Sequence, residues 1–428
     1  MKSKYKIILI IAFLIFSRAA FSQGWYINNT FSPAQSLQAI KFYDANTGYT
    51  TAPVYGGGST MEIHKTTNAG VSWVDQNAGF TGERFMCIWI VHPDTVYMSG
   101  NDGHILKTVN GGQNWVNMRT DTLVQLWGLQ FVNSFTGYAA GSTGIIIKTT
   151  NAGVTWTPLS SGVTNALSSV HFRNDNTGYI SGSGCILKTT NAGASWTQQS
   201  AAFINFETLR EITFTDDNNG YAVSDADRIF RTTNAGVNWT ISLGGTGQSY
   251  FGIYFTDPNT AYVCGFNGAI IKTTNAGANW VTQTSPTTQI LTDIWFTSAT
   301  TGYISAWNGS VLKTTNGGVT FVEPISSEVP DNFSLKQNYP NPFNPSTEIE
   351  FSIPAGKQSI VQLKIYDAAG NEVATLVNDY LLPGTYRTQW NATGYASGVY
   401  FYKLSIHSSA RSERSDSYTT TKKMVLIK

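Results

Sequence analysis

The sequence predicts an all-β protein, a seven-bladed β-propeller followed by an immunoglobulin-like β-sandwich, and three observations carry that expectation. One nonapeptide recurs seven times at intervals of 40 to 43 residues. Between its copies, short apolar runs alternate with glycine-bearing turns. The composition, 13% aromatic and 12% charged with 40 glycines in 428 residues, suits short twisted strands and tight turns rather than amphipathic helices.

The copies read KTTNAGVSW at 65–73, KTVNGGQNW at 107–115, KTTNAGVTW at 148–156, KTTNAGASW at 188–196, RTTNAGVNW at 231–239, KTTNAGANW at 272–280 and KTTNGGVTF at 313–321. Upstream of each lies a run such as LQF, VHF, ITF or IWF, then a turn, a second strand opening on a Thr-Gly-Tyr-like triplet, and a glycine turn before the Lys-Thr-Thr strand. A period of about 41 residues with four strands is the pattern of propeller blades, whose apolar faces are buried only by stacking neighbours around an axis. Trp25 matches the last position of the nonapeptide, since Gly24-Trp25-Tyr26-Ile27 precedes the run 37–42 much as Trp196-Thr197 precedes 209–214. The start of the chain is therefore expected to supply an outer strand that closes the ring, either replacing or joining 320–322.

Residues 1–22 read as a secretory signal: Lys2, Lys4 and Lys6 precede an apolar run from Ile7 to Phe16, and Ala20-Phe21-Ser22 offers small residues for cleavage. Ten apolar residues reach about 15 Å as a helix against about 30 Å of hydrocarbon, so the mature form is expected to have no transmembrane span. Without the signal the chain carries 23 basic and 26 acidic side chains, a net charge of −3, with the basic residues scattered singly. That argues against nucleic acid as a partner. Cys87, Cys185 and Cys264 fall at unrelated repeat positions and His64 and His104 stand alone, so neither disulfides nor a metal is expected, and no motif calls for a cofactor.

The nonapeptide resembles the Asp-box of bacterial neuraminidases, sortilin-type propellers and the photosystem II assembly factor family. Asn68, Asn110, Asn151, Asn191, Asn234, Asn275 and Asn316 stand where those families have aspartate. The spacing and single ring favour the photosystem II assembly factor family over residues 24–322. In a tight hairpin an Asx oxygen accepts backbone amides two residues on, and the following glycine supplies a positive φ. Seven neutral asparagines make poor calcium or sugar ligands, so the motif is read as turn chemistry.

From Phe333 the pattern changes. YPNPFNPST at 339–347, KIYDAAGNEV at 364–373, GVYFYKL at 398–404 and KKMVLIK at 422–428 resemble the type A sorting domain of type IX secretion. The resemblance implies export across the outer membrane through the type IX machinery, removal of the domain by a sortase-like protease, and release or surface attachment, with the periplasm on the route. The expected organisation is signal peptide 1–22, propeller 23–325, linker 326–332 and sorting domain 333–428.

No catalytic motif is found. Arg84, Arg119, Arg173, Arg210, Arg228 and Arg231 do not occupy equivalent repeat positions, so the arginine triad of a neuraminidase is not supported. An inverting glycoside hydrolase needs opposed carboxylates about 6.5–9.5 Å apart, and a pair such as Asp225 or Asp227 with Asp293 is a candidate. If the first strand of each blade lines the channel, its entry loop and the turn between strands two and three share one face, opposite the hairpins. There lie Trp127, Arg210, Glu211, Asp225, Asp227, Asp293 and Trp307, with Tyr55, Asp102 and Phe266 nearby; Trp89 and His171 are candidates for the channel. Aromatic plates beside carboxylates suit a glycan, and a protein ligand fits too. The expectation is a secreted or surface binding module, with an Asp-box glycoside hydrolase and an assembly scaffold as the rivals.

Overall fold

A computed structural model describes residues 24–31, 36–52, 62–76, 79, 83–118, 120, 123–199, 207–318, 323–326, 329–354, 359–381, 383–392, 395–408 and 417–427. The expected signal peptide and Tyr55 lie outside them. Seven four-stranded antiparallel sheets follow one another as blades. Their inner strands are Ala39–Phe42, Phe85–His92, Leu126–Phe131, Leu167–Phe172, Leu209–Phe214, Tyr250–Phe255 and Leu291–Phe296. Each inner strand meets the next, and the seventh meets the first, so the ring is closed. Blade 7 takes its outer strand from Tyr26–Thr30, which pairs with Ser310–Thr314, Tyr26 opposite Lys313 and Thr30 opposite Ser310.

The core lies between blades rather than within one. Tyr179 and Ile186 of blade 4, for example, cluster with Leu209, Ile212, Phe214, Phe230 and Trp239 of blade 5. The repeat explains how. The last residue of each inner strand is usually Phe, and its ring lies over the first residue of the second strand of its own blade: a Cβ on Gly178 would sit 2.6 Å from the Phe172 ring. Hence the glycine of the Thr-Gly-Tyr triplet. The other side of the Phe ring stacks on the tyrosine of the preceding blade, Tyr138 on Phe172 at 4.0 Å and Tyr179 on Phe214 at 3.8 Å. The nonapeptide tryptophan closes the stack edge-on, Trp196 against Phe172 at 5.9 Å and 88°. Where blade 6 has Ala261 in place of the glycine, the neighbouring stack loosens: Tyr221 and Phe255 are 4.5 Å apart and tilted by 37°. Trp25 completes the pattern, buried and edge-on to Phe296 at 5.8 Å.

The C-terminal region is a β-sandwich. One sheet orders Glu323–Ser326, Gly384–Asn391, Ser346–Ile353 and Ser334–Leu335, and the other Glu372–Leu381, Ser359–Tyr366, Gly398–Ser408 and Ser417–Leu426. Residues 323–326, at the junction between the expected propeller and linker, thus pair inside this sandwich. Its core joins Ile349, Phe351 and Trp390 of one sheet to Leu363, Tyr402 and Met424 of the other. The proline-rich loop is tied to the last strand: Phe343 N–H donates to the Val425 carbonyl at 3.0 Å, and the Val425 amide donates to Asn341 Oδ1 at 2.9 Å. No helix among the described residues is long and apolar enough to cross a membrane.

Candidate functional site

The two faces of the ring are built on different chemistry. On one lie the nonapeptide hairpins. In blade 3, Asn151 Oδ1 accepts the Thr149 hydroxyl at 2.9 Å and the Thr155 amide at 2.9 Å, while Gly153 N–H donates to Thr149 Oγ1 at 2.9 Å. The asparagine therefore reaches an amide four residues on, not two. The positive φ falls on Ala152 (59°) as well as Gly153 (82°). This left-handed alanine, which costs about 1–2 kcal/mol in an L-residue, turns its carbonyl outward to accept both the Tyr97 hydroxyl and Lys107 Nζ of the preceding blade, each at 2.9 Å. Ala192 accepts Tyr138 and Lys148 likewise, Ala235 accepts Tyr179 and Lys188, and Ala69 accepts Tyr303 and Lys313 across the closure of the ring. The lysine of one hairpin and the tyrosine of its blade thus clamp the hairpin of the next. Burial of these phenols pushes the Tyr138 hydroxyl up to about 12.

The structure divides the predicted site residues into three groups, and all but Glu211 and Asp293 lie toward the opposite, entry face. Arg210, Asp225 and Asp227 come together on blade 5. Arg210 Nη2 donates to Asp225 Oδ2 at 2.9 Å, and its guanidinium lies 5.7 Å from the centre of the Phe251 ring of blade 6. Asp225 Oδ1 accepts the Thr208 amide at 3.2 Å, and Asp227, itself at φ 65°, accepts the Gly245 and Gly247 amides at 3.4 and 3.0 Å. Trp307 stands in the turn of blade 7 with 45% of its surface exposed, beside blade 6 with its exposed Phe266. Trp127 is half-buried on the inner strand of blade 3, apart from the others. Asp102 occupies the equivalent turn of blade 2 at φ 51°.

Glu211 and Asp293, expected on the entry face, line the channel instead. The ladder slips by one residue between Leu209 and Glu211 and between Leu291 and Asp293. A bulge of this kind re-aims the following side chain, leaving Arg210 at the rim and turning Glu211 to the axis. There each acid accepts a backbone amide of the next blade. Glu211 Oε2 takes the Ile253 amide of blade 6 at 2.8 Å, and Asp293 Oδ2 takes the Ile40 amide of blade 1 at 2.9 Å. Gln130 and His171 do the same for the Phe172 and Phe214 amides. Inner strands have no partner strand on their axial edge, and side chains of the preceding blade satisfy the amides exposed there.

Sequence reasoning missed Lys41, which lies 3.5 Å from Asp293 and over the Trp295 ring at 4.6 Å. It was visible as the one lysine among the residues aligned at that strand position, Lys41, Trp89, Gln130, His171, Thr213, Tyr254 and Trp295. Burial works to lower the Lys41 ammonium, but Asp293 and then Glu211 outweigh it and hold it above the ordinary lysine value. Burial pushes the Glu211 carboxyl up to about 7, with Asp293 adding and Lys41 opposing. Burial and then Arg173 bring His171 down to about 4. Asp225 and Asp293 are each engaged by neighbouring groups, Asp225 by the Thr208 amide and Arg210 and Asp293 by the Ile40 amide. Among the described residues no group of His, Cys, Asp and Glu side chains is arranged to hold a metal.

Stacked four-stranded blades sealed by the N-terminal strand, with a β-sandwich behind them, define a modular repeat propeller. Residues 109–246, and 149–288 in a second match, fit the family described as Photosynthesis system II assembly factor YCF48, and residues 337–426 fit the Secretion system C-terminal sorting domain. The propeller is thus similar to the YCF48 family over residues 109–288, and the C-terminal region to the type IX secretion sorting domain over residues 337–426. No curated protein matches its sequence. Among solved structures, a YCF48 bound to D1 peptide is 16% identical, with 69% of this chain and 97% of that one covered at a TM-score of 0.57. The YCF48 from Cyanidioschyzon merolae is also 16% identical, with 68% and 98% covered at 0.52. The WD40 propeller domain of Doa1 is 12% identical, with 68% and 97% covered at 0.55. At such identities the likeness establishes the fold.

Proposed function

We propose that this protein is a non-catalytic binding module, exported by type IX secretion, that engages a glycan or protein ligand through the entry face of its propeller. The observation that carries this is the asymmetry of the ring. Hairpin polar groups are spent on bonds within and between blades, whereas the entry-face turns differ from blade to blade and leave Arg210, Phe266 and Trp307 in the open. The sorting domain supports a destination at the cell surface or beyond it. On this reading the chain passes through the periplasm, a sortase-like protease removes residues 333–428, and the propeller is released or attached to the surface.

Photo-crosslinking on intact producing cells tests the assignment. A photoreactive residue in place of Trp307 is expected to capture a surface component, and the same residue in place of Val154, exposed on the hairpin face, is expected to capture none. Equal capture at the two positions would sink it.

A further inference from the structure

The described turns between second and third strands are built alike; blades 2, 3 and 5 keep a side-chain bond that blades 4, 6 and 7 lack, and only in blades 6 and 7 does an aromatic side chain stand in its place. In blade 2, the Asn101 amide donates to the Arg84 carbonyl and Asn101 Oδ1 accepts the Arg84 amide at 2.7 Å. In blade 3, Ser142 forms the same reciprocal pair with Gln125, and in blade 5 Asp225 forms it with Thr208. Each pair ties the turn to the residue leading into its own inner strand. Blades 6 and 7 keep only the backbone half, Phe266 N–H to Ser249 at 2.8 Å and Trp307 N–H to Ile290 at 3.0 Å. Their aromatic side chains cannot accept the returning amide, and the two rings are 49% and 45% exposed. Adjacent blades have thus exchanged a stabilising local bond for two open rings, which is the trade expected of a surface under functional demand.

The charged side chains of the neighbouring blade 5 turn and its entry loop are already engaged. Arg210 is paired with Asp225 and rests over Phe251, Asp227 is engaged by two backbone amides, and Arg228 is paired with Glu207. An anionic ligand would need an unpaired cation here. A peptide held as an added strand would need an open sheet edge, and blade edges point to the axis and the rim, not to this face.

Resting on the role proposed above for the entry face, we infer that the sector formed by blades 5 to 7 takes an uncharged, hydroxyl-rich ligand, a neutral glycan. The apolar faces of its sugar rings stack on Phe266 and Trp307, while Arg210 donates to, and Asp225 accepts from, its hydroxyls.

The test uses the full secreted chain on arrays of neutral, uronic-acid-bearing and sulfated glycans printed beside peptides. Two variants are compared with it: the double variant Phe266→Asn, Trp307→Asn, which restores an acceptor to each turn, and Val154→Ala, at a residue exposed on the hairpin face. The expected result is binding to neutral glycans that changes little between about 50 and about 500 mM salt, where exposed charges become screened. The double variant should bind about tenfold or more weakly, roughly the loss of one good contact, while melting no lower than the parent; Val154→Ala should bind as the parent does. Binding to acidic glycans or peptides that the double variant loses would overturn the neutral-glycan assignment and leave the entry face standing. No binding, or binding indifferent to the double variant, would overturn both.

Discussion

The hairpin face and the entry face arise from the same repeat, yet one is nearly identical in every blade and the other differs in each. On the hairpin face the polar groups of the motif have structural partners: threonine and asparagine close the turn, the left-handed alanine presents its carbonyl, and lysine and tyrosine of the neighbouring blade bind it. A change at the alanine, lysine or tyrosine disturbs two blades at once. On the entry face the backbone bond from turn to inner strand suffices to hold the loop, so side chains there are free to vary. Repetition marks where a fold has committed its atoms, and variation marks where it has not.

Three substitutions bear on that contrast, taken from the largest effect. Phe172→Ala removes the ring shared by Tyr138, Trp196 and the Gly178 backbone, and is expected to destabilise the ring by about 3–5 kcal/mol. Denaturant unfolding measures it, and a loss below about 1 kcal/mol would mean that the stack between blades is not the core.

The second concerns the channel. Glu211 titrates near 7 in the folded state against its ordinary 4.5, so the native protein holds this proton more tightly than the unfolded chain does. Stability is therefore lost as pH rises from about 4.5 through 7. Glu211→Gln keeps an acceptor for the Ile253 amide and removes the ionisation; it should match the parent near pH 4 and exceed it by about 1–3 kcal/mol at pH 8. His171, lowered to about 4, acts oppositely, its contribution being lost as pH falls from about 6.5 toward 4. Parallel pH profiles for Glu211→Gln and the parent would show that Glu211 does not titrate in this range.

The smallest effect is that of Asn151→Ala, expected to cost about 0.5–2 kcal/mol, as lost caps do, with ligand binding unchanged. Loss of binding at an unchanged melting temperature would move function onto the hairpin face and undo the comparison.

Much of this was legible in the sequence, because a repeat displays the same constraint several times over. The seven copies of the nonapeptide predicted the blades, and Trp25 announced the closing strand from its match to the repeat. Less was legible where a one-residue irregularity decides the direction of a side chain. Glu211 and Asp293 follow a slip in the ladder that no alternation of apolar and polar residues reveals, so they were expected at the rim and stand on the axis. Phe251 was passed over for a similar reason. Its environment is set by Arg210 of the preceding blade, a neighbour that becomes visible only when the ring is assembled.

The pairing of Tyr26–Thr30 with Ser310–Thr314 also sets an order of events. Thr30 and Ser310 are 280 residues apart, and loops of that length close slowly, so the first strand must wait with its edge unmet while six blades are made. The strand that receives it is the last of the propeller, and the sorting domain follows directly. A chain interrupted anywhere before that point has neither a closed ring nor an address, so arrival at the secretion machinery is itself a sign that the means of closing the propeller has been synthesised.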